Sequence, residues 1–112
     1  MTARTTTGSA RLRALRALRA RIERTDDRIL ALLVQRTALA RMVGAAKHSA
    51  GLPVLDPARE AQVVRRAAAR ARELGVPAEQ VRSLFWQIIS LCRGEQLPAR
   101  PATGGTGRAG RR

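Results

Sequence analysis

From Arg11 to Ser49 the chain has no proline and no strong break, and its large apolar residues keep helical spacing throughout. Leu15, Leu18, Ile22, Ile29, Leu32, Leu39 and Val43 recur at intervals of three, four and seven, the pattern of a helix with one buried seam. Gly44 is the only weak point within it. A helix of roughly 35 residues is about 50 Å long, whereas a compact domain of about 80 residues has a radius of gyration of only ~12 Å. Such a seam outruns anything a small domain can lay over it. The economical cover is a second copy of the chain, so the length of this helix predicts an intertwined homodimer.

The rest of the sequence supplies two shorter helices. Gly51 and Pro53 end the first helix and force a turn. Asp56 can cap a second helix, with Pro57 at its first position, where a missing N–H costs nothing. That helix runs to Leu74, and Gly75 supplies a left-handed stop. Pro77 opens a third helix carrying Val81, Leu84, Phe85, Ile88, Ile89, Leu91 and Cys92, and Pro98 closes it. No segment alternates as a strand would. The predicted fold class is all-α: three helices per chain, the first very long.

Residues 1–10 and 98–112 are rich in Thr, Gly, Pro, Ala and Arg and lack large apolar side chains. Such segments bury too little surface to offset their ordering entropy, so both read as disordered tails flanking one helical domain over 11–97. The net charge is +14, yet eight basic residues lie before residue 18 or after residue 97, leaving 14 basic against 8 acidic residues, a balance of +6, between them. The extreme charge therefore belongs largely to the ends. Cys92 is the only cysteine, which excludes an internal disulfide and leaves too few ligands for a structural zinc site. The start has no apolar run of about 7–15 residues and no stretch nears the ~20 apolar residues of a membrane span, so neither a secretory leader nor a span is expected, and a cytoplasmic location is.

Several polar residues stand where the pattern asks for apolar ones. Arg36 falls on the seam of the first helix, where a lone guanidinium is costly and needs an anionic partner. Lys47, the single lysine beside 21 arginines, follows eleven residues later and returns to within about 20° of the same face. Arg36 and Lys47 thus look into one space. Arg19 lies about 100° round the helix from Arg36 and more naturally reaches a pocket of the partner subunit. On the third helix the stripe through Phe85, Ile88 or Ile89 and Cys92 continues to Gln96, an amide donor. Asp56, Arg59 and Glu60 crowd the first turn of the second helix. Each has a plainer reading: Arg36 in an ion pair with Glu60 or another acid, Asp56 as a helix cap, Lys47 and Gln96 as solvated helix ends, Cys92 as a small core residue. His48 reads as an exposed helix end. Taken together, the set offers cations, one amide donor and an acidic pair, with no recognisable nucleophile or base.

The stretches LRARIERTDDRILALLVQR (18–36), VGAAK (43–47), GLPVLDPAREAQV (51–63) and LFWQIISLCRGEQ (84–96) resemble the all-helical chorismate mutase family over about residues 12–97. The resemblance implies an intertwined dimer with two shared active sites, no cofactor and no metal. It implies that Arg36, with Arg19 from the other subunit, grips the two carboxylates of chorismate, and that Lys47 and Gln96 donate to the ether oxygen. Asp56 and Glu60 would hold the ring hydroxyl, with Arg59 beside the pocket. Cys92 takes a position commonly filled by Ser that touches a carboxylate, and a thiol is the poorer donor. The implied reaction is the rearrangement of chorismate to prephenate, in phenylalanine and tyrosine biosynthesis.

Three alternatives stay open at the level of sequence. The same fold could take 4-amino-4-deoxychorismate, or could eliminate pyruvate from isochorismate. A basic helical module binding nucleic acid or an acidic partner is the reading from another class. Only Phe85 and Trp86 are aromatic, which gives base stacking little support, and that reading leaves Arg36 on the seam unexplained. No specific nucleic acid is expected. A catalytically dead homologue is argued against by the intact polar set.

Overall fold

The computed structural model of the chain describes residues 2–96, with side chains over residues 7–94. It contains three α-helices in the order α1 (Thr2–Ser49), α2 (Pro57–Leu74) and α3 (Ala78–Gln96), and no strand among the described residues. The expected tail over 98–112 lies outside them.

α1 begins at Thr2, where the sequence reading placed a disordered tail up to residue 10. No proline interrupts the segment. Adding residues to a helix already nucleated downstream avoids the cost of starting one, so even Thr and Gly are carried along. At its far end, Ala50 N–H bonds to Ala46 O, Leu52 N–H to Lys47 O and Gly51 N–H to His48 O. Gly51, at φ 71°, turns the chain out of the helix.

α2 starts as its sequence dictates. The Asp56 carboxylate accepts from the Arg59 backbone N–H at 3.1 Å, and Pro57 occupies the first helical position. Gly75, at φ 76°, closes it with N–H groups returning to the last carbonyls: Gly75 to Arg72 and Val76 to Ala71. This conformation is cheap for glycine and costs other residues about 1–2 kcal/mol.

The chain divides into two compact units, 1–35 and 36–112. The first is helical, and its large apolar residues are exposed: Leu15, Leu18, Ile22 (59%), Ile29 and Leu32 (62%) among them. The second comprises the final turns of α1 together with α2 and α3. A short Gly–Val–Pro link makes α2 and α3 an antiparallel pair, so the first turn of α2 lies beside the last turn of α3; Arg93 meets Glu60 there.

The core of this unit is built from small residues. Ala40, Val64, Ala68, Ala71, Ile89 and Cys92 are buried, and no large side chain is wholly enclosed among the described residues. Val64, Ala68 and Ala71 recur at helical spacing on one face of α2, letting its backbone approach closely. Leu39 and Val43, the last members of the α1 seam, remain exposed.

Over Thr7–Ser49 α1 is also long and apolar enough to cross a membrane, by length and composition, where the sequence reading found no such stretch. The difference lies in Arg36 and Arg41, which interrupt the apolar run from Ile29 to Ala46. A guanidinium at the centre of a spanning helix costs about 2.5–3.5 kcal/mol, and two argue that this helix faces protein rather than lipid.

Ala68 is 0% exposed, so Ala68→Leu has no room to enter without separating the helices. Overpacking of this kind costs typically 1–3 kcal/mol. Thermal melting followed by circular dichroism should show a fall of roughly 4 °C or more.

Candidate active site

One face of the last turns of α1 presents Arg36, Ala40, Val43 and Lys47 at intervals of three or four residues. Opposite stand the first turns of α2, with Asp56, Arg59, Glu60 and Val63, and the last turns of α3, with Ile89, Cys92 and Arg93. Together with Leu39 they line a cavity of about 460 Å³, within the range of small-molecule sites. Each helix contributes an end, where side chains reach past the small-residue core.

Arg36 is half-buried and donates from Nη1 to the Cys92 sulfur at 2.9 Å. Among the described residues no carboxylate is paired with it; the acid suggested by its place on the seam is Glu60, and Glu60 is taken by another residue. Arg93 grips Glu60 with both prongs, Nη2 to Oε1 at 2.6 Å and Nε to Oε2 at 3.1 Å. Hydrogen bonding to Glu60, and then its charge, raise the Arg93 pKa further above its ordinary value. Lys47 Nζ donates to the Val54 carbonyl at 2.8 Å, so the turn between α1 and α2 folds back over the lysine's end of the cavity.

Asp56 is both the cap of α2 and a wall of the cavity. The Arg59 guanidinium bonds Gln62 Oε1 at 3.0 Å, one turn along its own helix. Six of the eight residues singled out from sequence therefore line one space: Arg36, Lys47, Asp56, Arg59, Glu60 and Cys92. Arg19 is exposed in the first unit and is not among the lining residues. Gln96 closes α3, and its side chain lies outside the described residues.

Arg93 is the charged lining residue that the sequence analysis does not single out. Its signal was available: it follows Ile89 by four residues, hence shares that buried face of α3. The Val54 carbonyl had no signal, because any residue type there offers the same oxygen.

Four cations and two carboxylates around one cavity leave a net charge of +2, which suits a small dianion. The sequence profile of the chorismate mutase type II family matches residues 18–97, a span that takes in every lining residue. The chain belongs to that family.

Its relatives agree in part of their length. A chorismate mutase of Methanocaldococcus jannaschii is 32% identical over 75 residues, 67% of this chain and 75% of the relative. A bifunctional chorismate mutase/prephenate dehydratase of Aquifex aeolicus is 37% identical over 81 residues, 70% of this chain and 22% of the relative. A 3-dehydroquinate dehydratase of Pyrobaculum aerophilum is 34% identical over 85 residues, 76% of this chain and 25% of the relative. The chain spans about a quarter of the length of the last two. No solved structure matches the chain at the same stringency.

The double duty of Asp56 can be separated by substitution. Asp56→Ala removes the cap, at a cost of about 1 kcal/mol, and should lower the melting temperature by roughly 4–8 °C. Asp56→Asn keeps an acceptor for the Arg59 N–H and should melt like the parent protein while lacking the charge.

Proposed function

We propose that this chorismate mutase type II chain converts chorismate to prephenate, working as a homodimer in the cytoplasm. The observation that carries the reading is the cavity wall: a half-buried arginine with no carboxylate partner among the described residues, a lysine on a backbone carbonyl, and a net charge of +2. Chorismate is a dicarboxylate of a size to enter such a space. Family membership supports the same conclusion.

The rearrangement is intramolecular: a C–C bond forms as the ether C–O bond breaks, and no group passes to the protein. It therefore calls for neither nucleophile nor base. What it needs is a folded substrate conformer with its reacting carbons together, and positive charge at the ether oxygen as that bond lengthens. Arg36 would exchange the weak thiol contact for a substrate carboxylate, which a guanidinium fork holds in two bonds. Cys92, beside it, would meet the same carboxylate less strongly than a hydroxyl.

Lys47 would turn its Nζ from the Val54 carbonyl to the ether oxygen, as a compact point charge suited to one atom. Gln96 would donate to the same oxygen. Asp56 and Glu60 would accept from the ring hydroxyl, with Arg59 at the rim.

The second substrate carboxylate lacks a partner in this set. Arg19 of a second copy would fill that role, and the exposed apolar seam of α1 would bring the copy there. Leu15, Leu18, Ile22, Ile29, Leu32, Leu39 and Val43 are all exposed in the single chain, and fully burying each such side chain is worth about 1.5–3 kcal/mol.

The test is loss of the chorismate diene absorbance with prephenate as product. Lys47→Ala should cut kcat by about a hundredfold or more, the scale for one oxyanion donor. Without turnover by the parent protein, the reading fails. Gln96→Glu would donate only when protonated, so its activity should climb as pH falls towards the ordinary Glu pKa of about 4.3. A flat profile in that variant would remove Gln96 from the ether oxygen.

A further inference from the structure

The two carboxylates at the acidic end of the cavity are in different states. Asp56 gives one oxygen to the α2 backbone. Glu60 is held on both oxygens by Arg93, which crosses from the last turn of α3 at 2.6 and 3.1 Å. The pair sits in the cavity wall, with the Glu60 side chain 20% and the Arg93 side chain 41% exposed. A forked guanidinium–carboxylate pair is short, directional and charge-compensated. Each oxygen keeps a further lone pair for a ligand donor, but the charge behind it is already matched by a cation that stays protonated at any working pH.

We propose that Arg93 determines which ring substituent the site accepts: by compensating Glu60 it admits a neutral hydroxyl and disfavours an ammonium. The inference rests on the proposed chorismate reading and deepens it, since the 4-amino analogue differs at that substituent. A hydroxyl needs only an acceptor, which the forked carboxylate still offers. An ammonium leaving water needs surplus negative charge. Asp56 supplies one carboxylate without an ion-pair partner among the described residues, but at Glu60 the ammonium meets a carboxylate already neutralised by the neighbouring guanidinium. Arg93 is argued to act through Glu60, which it holds, so it is a positioning residue.

The experiment compares kcat/KM for chorismate and for 4-amino-4-deoxychorismate in the parent protein, Arg93→Met and Arg93→Lys, with melting curves for each. The parent protein should prefer the hydroxyl substrate at neutral pH. That preference should narrow as rising pH turns the ammonium into a neutral amine, the chorismate rate at each pH serving as the reference. Arg93→Met should reduce the preference by about fivefold, the scale of a partly exposed charge interaction, through a gain on the amino substrate. Arg93→Lys keeps the charge and should keep most of the preference.

Equal use of both substrates by the parent protein at neutral pH overturns the inference. So does an unchanged ratio in an Arg93→Met protein that melts normally, or a preference lost in Arg93→Lys. Should Arg93→Met not fold, the pH dependence of the parent protein decides alone. If chorismate is turned over and the ratio fails, the proposed function stands without this inference; if neither substrate reacts, both fall.

Discussion

An α-helix satisfies its own backbone but cannot bury its own side chains, and α1 takes that limit to 48 residues. Its seam residues are exposed in the single chain, while the second unit encloses, among the described residues, only small side chains and one isoleucine. A core of alanines permits close helix packing at the expense of buried area. The same economy opens the cavity. Where helix ends meet beyond the alanine stripe of α2, long polar side chains replace the missing apolar volume, and they converge on one space of about 460 Å³.

The electrostatics of that space give each polar residue a different degree of freedom. Glu60 and Arg93 satisfy each other and form a fixed wall. Arg36 and Lys47 are held by a thiol and a backbone carbonyl, neutral acceptors whose bonds are roughly half as strong as those to a charged one. In the proposed reaction Arg36 holds a carboxylate that stays charged throughout, Lys47 meets the charge that develops along the path, and the compensated pair sets the boundary within which they act.

The residues that interact with their own neighbours in sequence were legible. Asp56 before Pro57, and Gly75 after Leu74, marked both ends of α2 because caps are local chemistry. Arg36 and Lys47 were placed on one face by the 100° step alone. What the sequence does not show is less local. The start of α1 depends on propagation from a helix already formed rather than on the weak preferences of residues 2–10. The partner of Glu60 lies 33 residues away on another helix, and only the antiparallel packing of α2 and α3 selects Arg93 over Arg36. The hold on Lys47 comes from a backbone oxygen, which leaves no trace in residue identity.

In the proposed enzyme each site is completed across two copies, Arg36 and Lys47 from one and Arg19 from the other. Mixing two inactive variants tests it most directly: Arg19→Ala and Lys47→Ala, unfolded together and refolded as one population. Random pairing makes half the dimers mixed, and each mixed dimer has one site with both residues intact, so about a quarter of the parent activity should return. A mixture as inactive as its components, or an Arg19→Ala protein with full activity alone, would contradict the shared site.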